Sequence, residues 1–216
     1  DAYLTKYNPD GNKDWTQLLG TSGHESANAL TTGNDGSIYI AGYTEGDLDG
    51  QSNSGKMDVF LAKYDSYGNK DWTQQFGSSE HDNADALTTG SDGSIYIAGV
   101  TGGDLGGQEN IGLHDVFLRK YDTDGNQTWA QLFGTTSYDW VYGLTTGSDG
   151  SIYMSGTTEG ELNGQPNSGY IDAFLSKYDP DGTTDWTKLL GTASADYAHA
   201  VTTGNDGSIY IAGKTS

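Results

Sequence analysis

The sequence has no cysteine and few positive charges: 10 Lys and Arg stand against 30 Asp and Glu, for a formal net charge of −20. Without Cys, disulfides leave the argument. A surface this acidic repels nucleic acid and anionic membrane and attracts cations, so nucleic-acid binding is not expected. Apolar residues make up only 33% of the chain. No apolar run approaches the roughly 20 residues of a membrane span, so membrane insertion is not expected either. No signal-peptide pattern opens the chain, and it starts without an initiator Met, as a mature fragment or excised segment would. Helical periodicity is missing throughout. So are a Ser/His/Asp order, a phosphate-type glycine loop and an HExxH motif, and the four His residues share no phase from which every unit could build a metal site. An enzyme is therefore not the expectation.

What is abundant is repetition. GSIYIAG at 36–42 returns at 93–99, as GSIYMSG at 150–156, and at 207–213, a period of 57 residues without insertion or deletion. A fixed period of this size marks a repeat architecture. DAYLTKY (1–7), DVFLAKY (58–64), DVFLRKY (115–121) and DAFLSKY (172–178) recur in step, as do Trp15, Trp72, Trp129 and Trp186.

Each unit reads as four strands. The DVFLAKY strand meets an Asp-Gly or Gly-Asn turn, where Gly supplies the positive φ of a hairpin. The Trp strand follows, then a linker, a short strand such as ALTTG (29–33), a second Asp-Gly turn and the SIYIAG strand. A long Gly/Asn-rich loop, EGDLDGQSNSGKM at 45–57, closes the unit. SIYIAG is apolar on both faces, and such a strand is buried on both faces. Four-stranded antiparallel sheets covered on both sides are the blades of a β-propeller. The expected fold is therefore all-β, one propeller domain over 1–216 with blades 27–77, 84–134, 141–191, and 198–216 together with 1–20. In that reading the ring closes within one monomeric chain, with Ile209–Ile211 pairing antiparallel with Tyr3–Thr5. A homodimer completing a larger ring is the alternative.

The run DAFLSKYDPDGTTDW, followed by LLGT and VTTGNDGSIYIAGKT, resembles the bacterial SBBP-type β-propeller repeat. The resemblance covers nearly the whole chain. It implies a secreted or cell-surface bacterial repeat protein and says little about a ligand.

Candidate functional residues gather in the linker, where the units differ. One acidic residue recurs there, as Glu25, Asp82, Asp139 and Asp196, while its neighbours change: His24, His81, Tyr138, Trp140, Tyr142, Tyr197 and His199. A repeat that fixes its core and varies one linker is varying its surface. Exposed aromatics beside carboxylates suit recognition of a glycan or a protein, since the rings offer rigid amphipathic area. The expected function is a non-enzymatic extracellular binding or adhesion propeller acting through this face. A structural bead of a larger surface protein is the second reading. An enzyme using His24 or His81 with Asp82 or Asp139 is the third. In the long loop, Asp47, Asp49, Asp104 and Glu161 are candidate Ca²⁺ ligands, because a hard cation takes six to eight oxygens. The competing reading is a loop ordered by its own side-chain hydrogen bonds. Leu48, Leu105 and Leu162 look like plugs that pin it to the blade.

Overall fold

The computed structural model describes all 216 residues. It contains 16 strands and no helix, and every strand pairing is antiparallel. Three sheets are complete. The first has β3 (Glu25–Thr32), β4 (Ile38–Thr44), β5 (Asp58–Tyr64) and β6 (Lys70–Phe76). The second has β7 (Asp82–Thr89), β8 (Ile95–Thr101), β9 (Asp115–Tyr121) and β10 (Gln127–Phe133). The third has β11 (Asp139–Thr146), β12 (Ile152–Thr158), β13 (Asp172–Tyr178) and β14 (Thr184–Leu190). Each terminus forms a two-stranded sheet: β1 (Ala2–Tyr7) with β2 (Lys13–Leu19), and β15 (Asp196–Thr203) with β16 (Ile209–Thr215).

The apolar double face of SIYIAG has the consequence expected of it. Ile40 points into one core with Ala2, Leu4, Phe60 and Tyr64. Its chain neighbours Tyr39 and Ala41 point into another, with Ala84, Ile97 and Phe117. A third core joins Tyr96, Ala98 and Leu118 of the second sheet to Ile152, Met154 and Phe174 of the third. Burying apolar area on both faces is what holds sheet to sheet.

The sheets are also bracketed at their outer edge. Gly68, Gly125 and Gly182 take φ of 88°, 85° and 89° in their turns. A Cβ on any of them would lie within about 3 Å of an indole of the preceding unit, Trp15, Trp72 or Trp129. Trp72 and Trp129 donate from Nε1 to the Thr123 and Pro180 carbonyls of the next sheet's turn, at 3.2 and 3.1 Å. Lys63 and Lys120 donate to the same two carbonyls at 3.2 and 3.3 Å, while approaching Asp71 and Asp92 at 3.8 and 3.6 Å. The tryptophans are half-buried rather than fully buried, because one ring face lies on a turn rather than in a core.

The expected ring closure is not found. β1 pairs only with β2 and β16 only with β15, so Ile209–Ile211 and Tyr3–Thr5 do not meet. Inner strands pack in order, β3 on β7, β7 on β11 and β11 on β15, with no comparable packing of β15 on β3. The two end sheets therefore stay two-stranded and unpaired with each other.

Candidate functional site

Every inner strand carries one β-bulge, in the same place. The register of β3 on β4 shifts between Ala27 and Ala29, that of β7 on β8 between Ala84 and Ala86. The shifts in β11 and β15 fall between Val141 and Gly143 and between Ala198 and Ala200. The residues left over are Asn28, Asp85, Tyr142 and His199. A bulge places two residues opposite one and re-aims the extra side chain. The motif's terminal glycine makes room for it. A Cβ at Gly42, Gly99, Gly156 or Gly213 would lie 1.7–1.9 Å from the carbonyl oxygen of Ser26, Asn83, Trp140 or Tyr197. The most repeated stretch of the sequence therefore enforces the feature that displays one of its most varied positions.

All four leftover residues line one open concavity of about 310 Å³, bounded by the four inner strands. They are linked across blades. Ser26 Oγ donates to Asn28 Oδ1 at 2.8 Å, and Asn28 Nδ2 donates to Asn83 Oδ1 at 2.7 Å and to the Ala84 carbonyl at 3.2 Å. Asn83 Nδ2 donates in turn to Asp85 Oδ1 at 2.6 Å. On the other side the Tyr142 and His199 rings are 5.3 Å apart, and Tyr197 stacks on His199 at 5.7 Å. Burial pushes the Asp85 carboxyl up to about 7 against the Asn83 hydrogen bond, so near neutral pH it both donates and accepts. Burial also raises the Tyr142 phenol, and the nearby Tyr197 and Asp85 reinforce the rise.

A second aromatic cluster forms outside the lining of this concavity. Tyr138 and Trp140 stack with centroids 5.0 Å apart and planes 8° apart, and His114 meets both edge-on at 5.1 and 6.2 Å. The other candidates fall elsewhere. His24 and His81 are exposed, and His81 lies near His114 without stacking on it. Glu25, Asp82, Asp139 and Asp196 are not surface groups as expected but buried. Each is held by the residue four positions earlier. The Ser78, Thr135 and Thr192 amides donate to Asp82, Asp139 and Asp196 at 2.6, 2.6 and 2.7 Å, and the Thr21 hydroxyl donates to Glu25 at 2.5 Å. Burial raises Asp82 and Asp139, with Asp58 and Asp115 adding repulsion. These carboxylates tie the linker to its own strand.

In the long loops, Asp47 and Asp104 each accept a backbone amide, from Asn53 at 2.8 Å and Asn110 at 3.0 Å. Asp49 pairs with Lys70 at 2.6 Å, and Glu161 is exposed on a third loop. The four candidate cation ligands are thus spread over three blades. Gln51 and Gln108 bond to the neighbouring strand at 2.8–3.3 Å, and Leu48, Leu105 and Leu162 are buried beneath.

Asn28 and Asp85 were not among the expected site residues, and neither was His114. The signal for the first two was present: they share the phase of Tyr142 and His199.

The stacked four-stranded sheets and the unbroken period define a β-propeller-repeat protein. Residues 185–216 match the SBBP model, described as a β-propeller repeat, and three further units of the chain repeat the same sequence in phase. The chain is 31% identical over 193 residues to a protein named Regulatory protein FlaEY from Caulobacter vibrioides, covering 79% of this chain and 20% of the relative. It is 23% identical over 181 residues to an uncharacterized WD repeat-containing protein, L264, of Acanthamoeba polyphaga mimivirus, covering 66% and 13%. The chain thus spans a fifth or less of the curated relatives it matches. A solved structure of a protein of unknown function from Bacteroides caccae superposes with a TM-score of 0.53 at 11% identity, over 94% of this chain and 58% of that one. That likeness concerns the fold alone.

Proposed function

We propose that this chain is a non-enzymatic extracellular recognition module that binds a glycan in the concavity of its inner strands. One observation carries the reading: four bulges, each secured by an invariant glycine of the repeat, direct one strongly varied position into a shared space. Tyr142 and His199 offer ring faces for the apolar side of a sugar, and Asn28 and Asp85 offer amide and carboxyl groups for its hydroxyls. The concavity presents one carboxylate, Asp85, rather than the facing pair that glycoside hydrolysis uses, which favours binding over turnover. The stacked Tyr138–Trp140 pair would extend the surface. Ca²⁺ at the loop carboxylates is an accessory expectation, and the recognition reading does not depend on it.

The second reading is a structural repeat of a longer surface protein. The near-identity of the units outside the linkers and long loops favours it, since copied repeats suit a scaffold. A glycan array probed with labelled protein separates the two. Recognition predicts a restricted set of retained glycans, lost in Asp85→Ala/Tyr142→Ala while the strand spectrum is unchanged. No retained glycan, or retention indifferent to the substitutions, would refute the binding reading.

A further inference from the structure

Where the chain crosses from one complete sheet to the next, it buries two carboxylates together. Asp58 opens β5 and Asp82 opens β7; Asp115 opens β9 and Asp139 opens β11. All four are at most 1% exposed. Oδ2 of each accepts a backbone amide, from Ser54, Ser78, Ile111 and Thr135 in turn, at 2.6–2.9 Å. Oδ1 of Asp58, Asp115 and Asp139 is buried and accepts nothing, and Asp172, in the same phase of the next unit, repeats this. None of the four carboxylates forms an ion pair with a Lys, the Arg or the chain's amino terminus. His114 lies beside Asp115 and Asp82, but burial favours its neutral ring. Burying a carboxylate is costly unless its oxygens are partnered and its charge is matched. Here the cost is incurred twice at each crossing, and the two charges repel each other.

The oxygens also converge. A Cβ on Gly77 would lie within 3 Å of both Asp58 Oδ1 and Asp82 Oδ2. A Cβ on Gly112 would lie within 3.1 Å of Asp115 Oδ1 and of the Thr135 and Ser137 carbonyl oxygens, and one on Gly134 would lie within 3 Å of Asp115 Oδ1 again. Glycine on both sides of Asp115 thus keeps side chains out of a spot lined by oxygen. No three His, Cys, Asp or Glu side chains gather anywhere in the molecule in a way that could hold a metal, so these crossings offer two carboxylates with carbonyls rather than a nitrogen or sulfur set. A doubly negative, all-oxygen donor set suits a hard divalent cation of calcium's size.

We propose that each crossing holds a Ca²⁺ ion between its two carboxylates, one at Asp58–Asp82 and one at Asp115–Asp139. The ion's two charges cancel those of the pair. It ties the outer half of one sheet, through β5 or β9, to the inner strand of the next, β7 or β11. The long loop closes over it, because the Ser54 and Ile111 amides hold Asp58 and Asp115 from that side. These seats are separate from Asp47, Asp49, Asp104 and Glu161, and they do not depend on the glycan reading. A proton shared between the two carboxyls is the rival way to relieve the same repulsion.

The test is calcium retention by the full chain. Protein stripped with a chelator and dialysed against radioactive Ca²⁺ should retain at least two ions, with Kd on the order of 10⁻⁴ to 10⁻³ M or below. Asp58→Asn and Asp115→Asn keep the side-chain size, and each should lose one ion; Asp47→Asn/Asp104→Asn should lose none. At about ten times Kd, Ca²⁺ should raise the melting temperature by about 3 °C or more above NaCl of equal ionic strength. Fewer than two ions retained by the parent chain overturns the proposal without recourse to any variant. So does retention unchanged in Asp58→Asn/Asp115→Asn. A gain in melting temperature in that double variant that is the same in Ca²⁺ and in chelator would overturn it in favour of the shared proton.

Discussion

Replacing Gly99 by Ala tests the link between the repeat motif and the displayed residues. The added methyl would lie 1.9 Å from the Asn83 carbonyl oxygen, 2.7 Å from Phe117 Cζ and 2.8 Å from Ala84 Cα. Two of these are backbone atoms and the third belongs to a fully packed ring, so no flexible side chain can swing away. The strand pair must separate or β7 must lose its bulge, and losing the bulge would turn the following residues to the wrong face. Overpacking of this kind costs up to about 3 kcal/mol where side chains can adjust. A clash with backbone places Gly99→Ala at about 4 kcal/mol or more. In a chain of this length that lowers the melting temperature by roughly 8–16 °C. Gly102→Ala is the control. Its methyl would approach nothing closer than 3.3 Å, at the solvent-facing Glu80 side chain, and should stay within about 0.5 kcal/mol of the parent. Both variants are read by thermal and urea unfolding. Equal, small losses would show that the glycine is not what the bulge requires.

Asp85 has its carboxyl raised to about 7 from 3.8. The folded state therefore holds a proton that the unfolded state releases, and stability declines as pH rises from about 4 to 7. Asp85→Asn should gain about 1–2 kcal/mol at pH 8, after allowance for partial exposure, and almost nothing at pH 4.5. Chemical denaturation at the two pH values decides it, and an equal effect at both would refute the assignment. Asp82 and Asp139 are shifted in the same direction. The turn carboxylates Asp35, Asp65, Asp122 and Asp149 are lowered by hydrogen bonds, so their contribution is lost as pH falls below about 4. Stability should accordingly peak between about pH 4.5 and 6, as a pH series of melts would show. Trp72→Ala removes an inter-blade bracket and should cost about 2–3 kcal/mol. Trp186→Ala, whose ring has no turn glycine against it here, should cost less than half of that; equal losses would show that the bracket to the next blade contributes nothing.

The strands, their turns and the in-phase tryptophans were legible in the sequence, because a 57-residue period repeats each local signal four times and the Asp-Gly turns set the boundaries. Two things were harder to see. The recurring acidic residue looks like a surface group, but a Ser or Thr four residues earlier (Thr21, Ser78, Thr135 or Thr192) holds it inside. That spacing is visible only once the linker is known to fold back on its strand. Asn28 and Asp85 follow an alanine in a strand whose alternation the bulge breaks, so a period-two reading assigns them to neither face. The glycine that signals the bulge lies on a different strand. Ring closure was not legible at all, since the rotation per blade emerges from contacts such as Trp72 on the Gly125 turn.

Whether the four bulge residues form one recognition surface is read by an amide chemical-shift titration of isotope-labelled protein with the glycan best retained on the array. Saturable shifts centred on Asn28, Asp85, Tyr142 and His199 are expected. Shifts confined to the long loops around Asp47 and Asp104, with the inner strands unmoved, would contradict it.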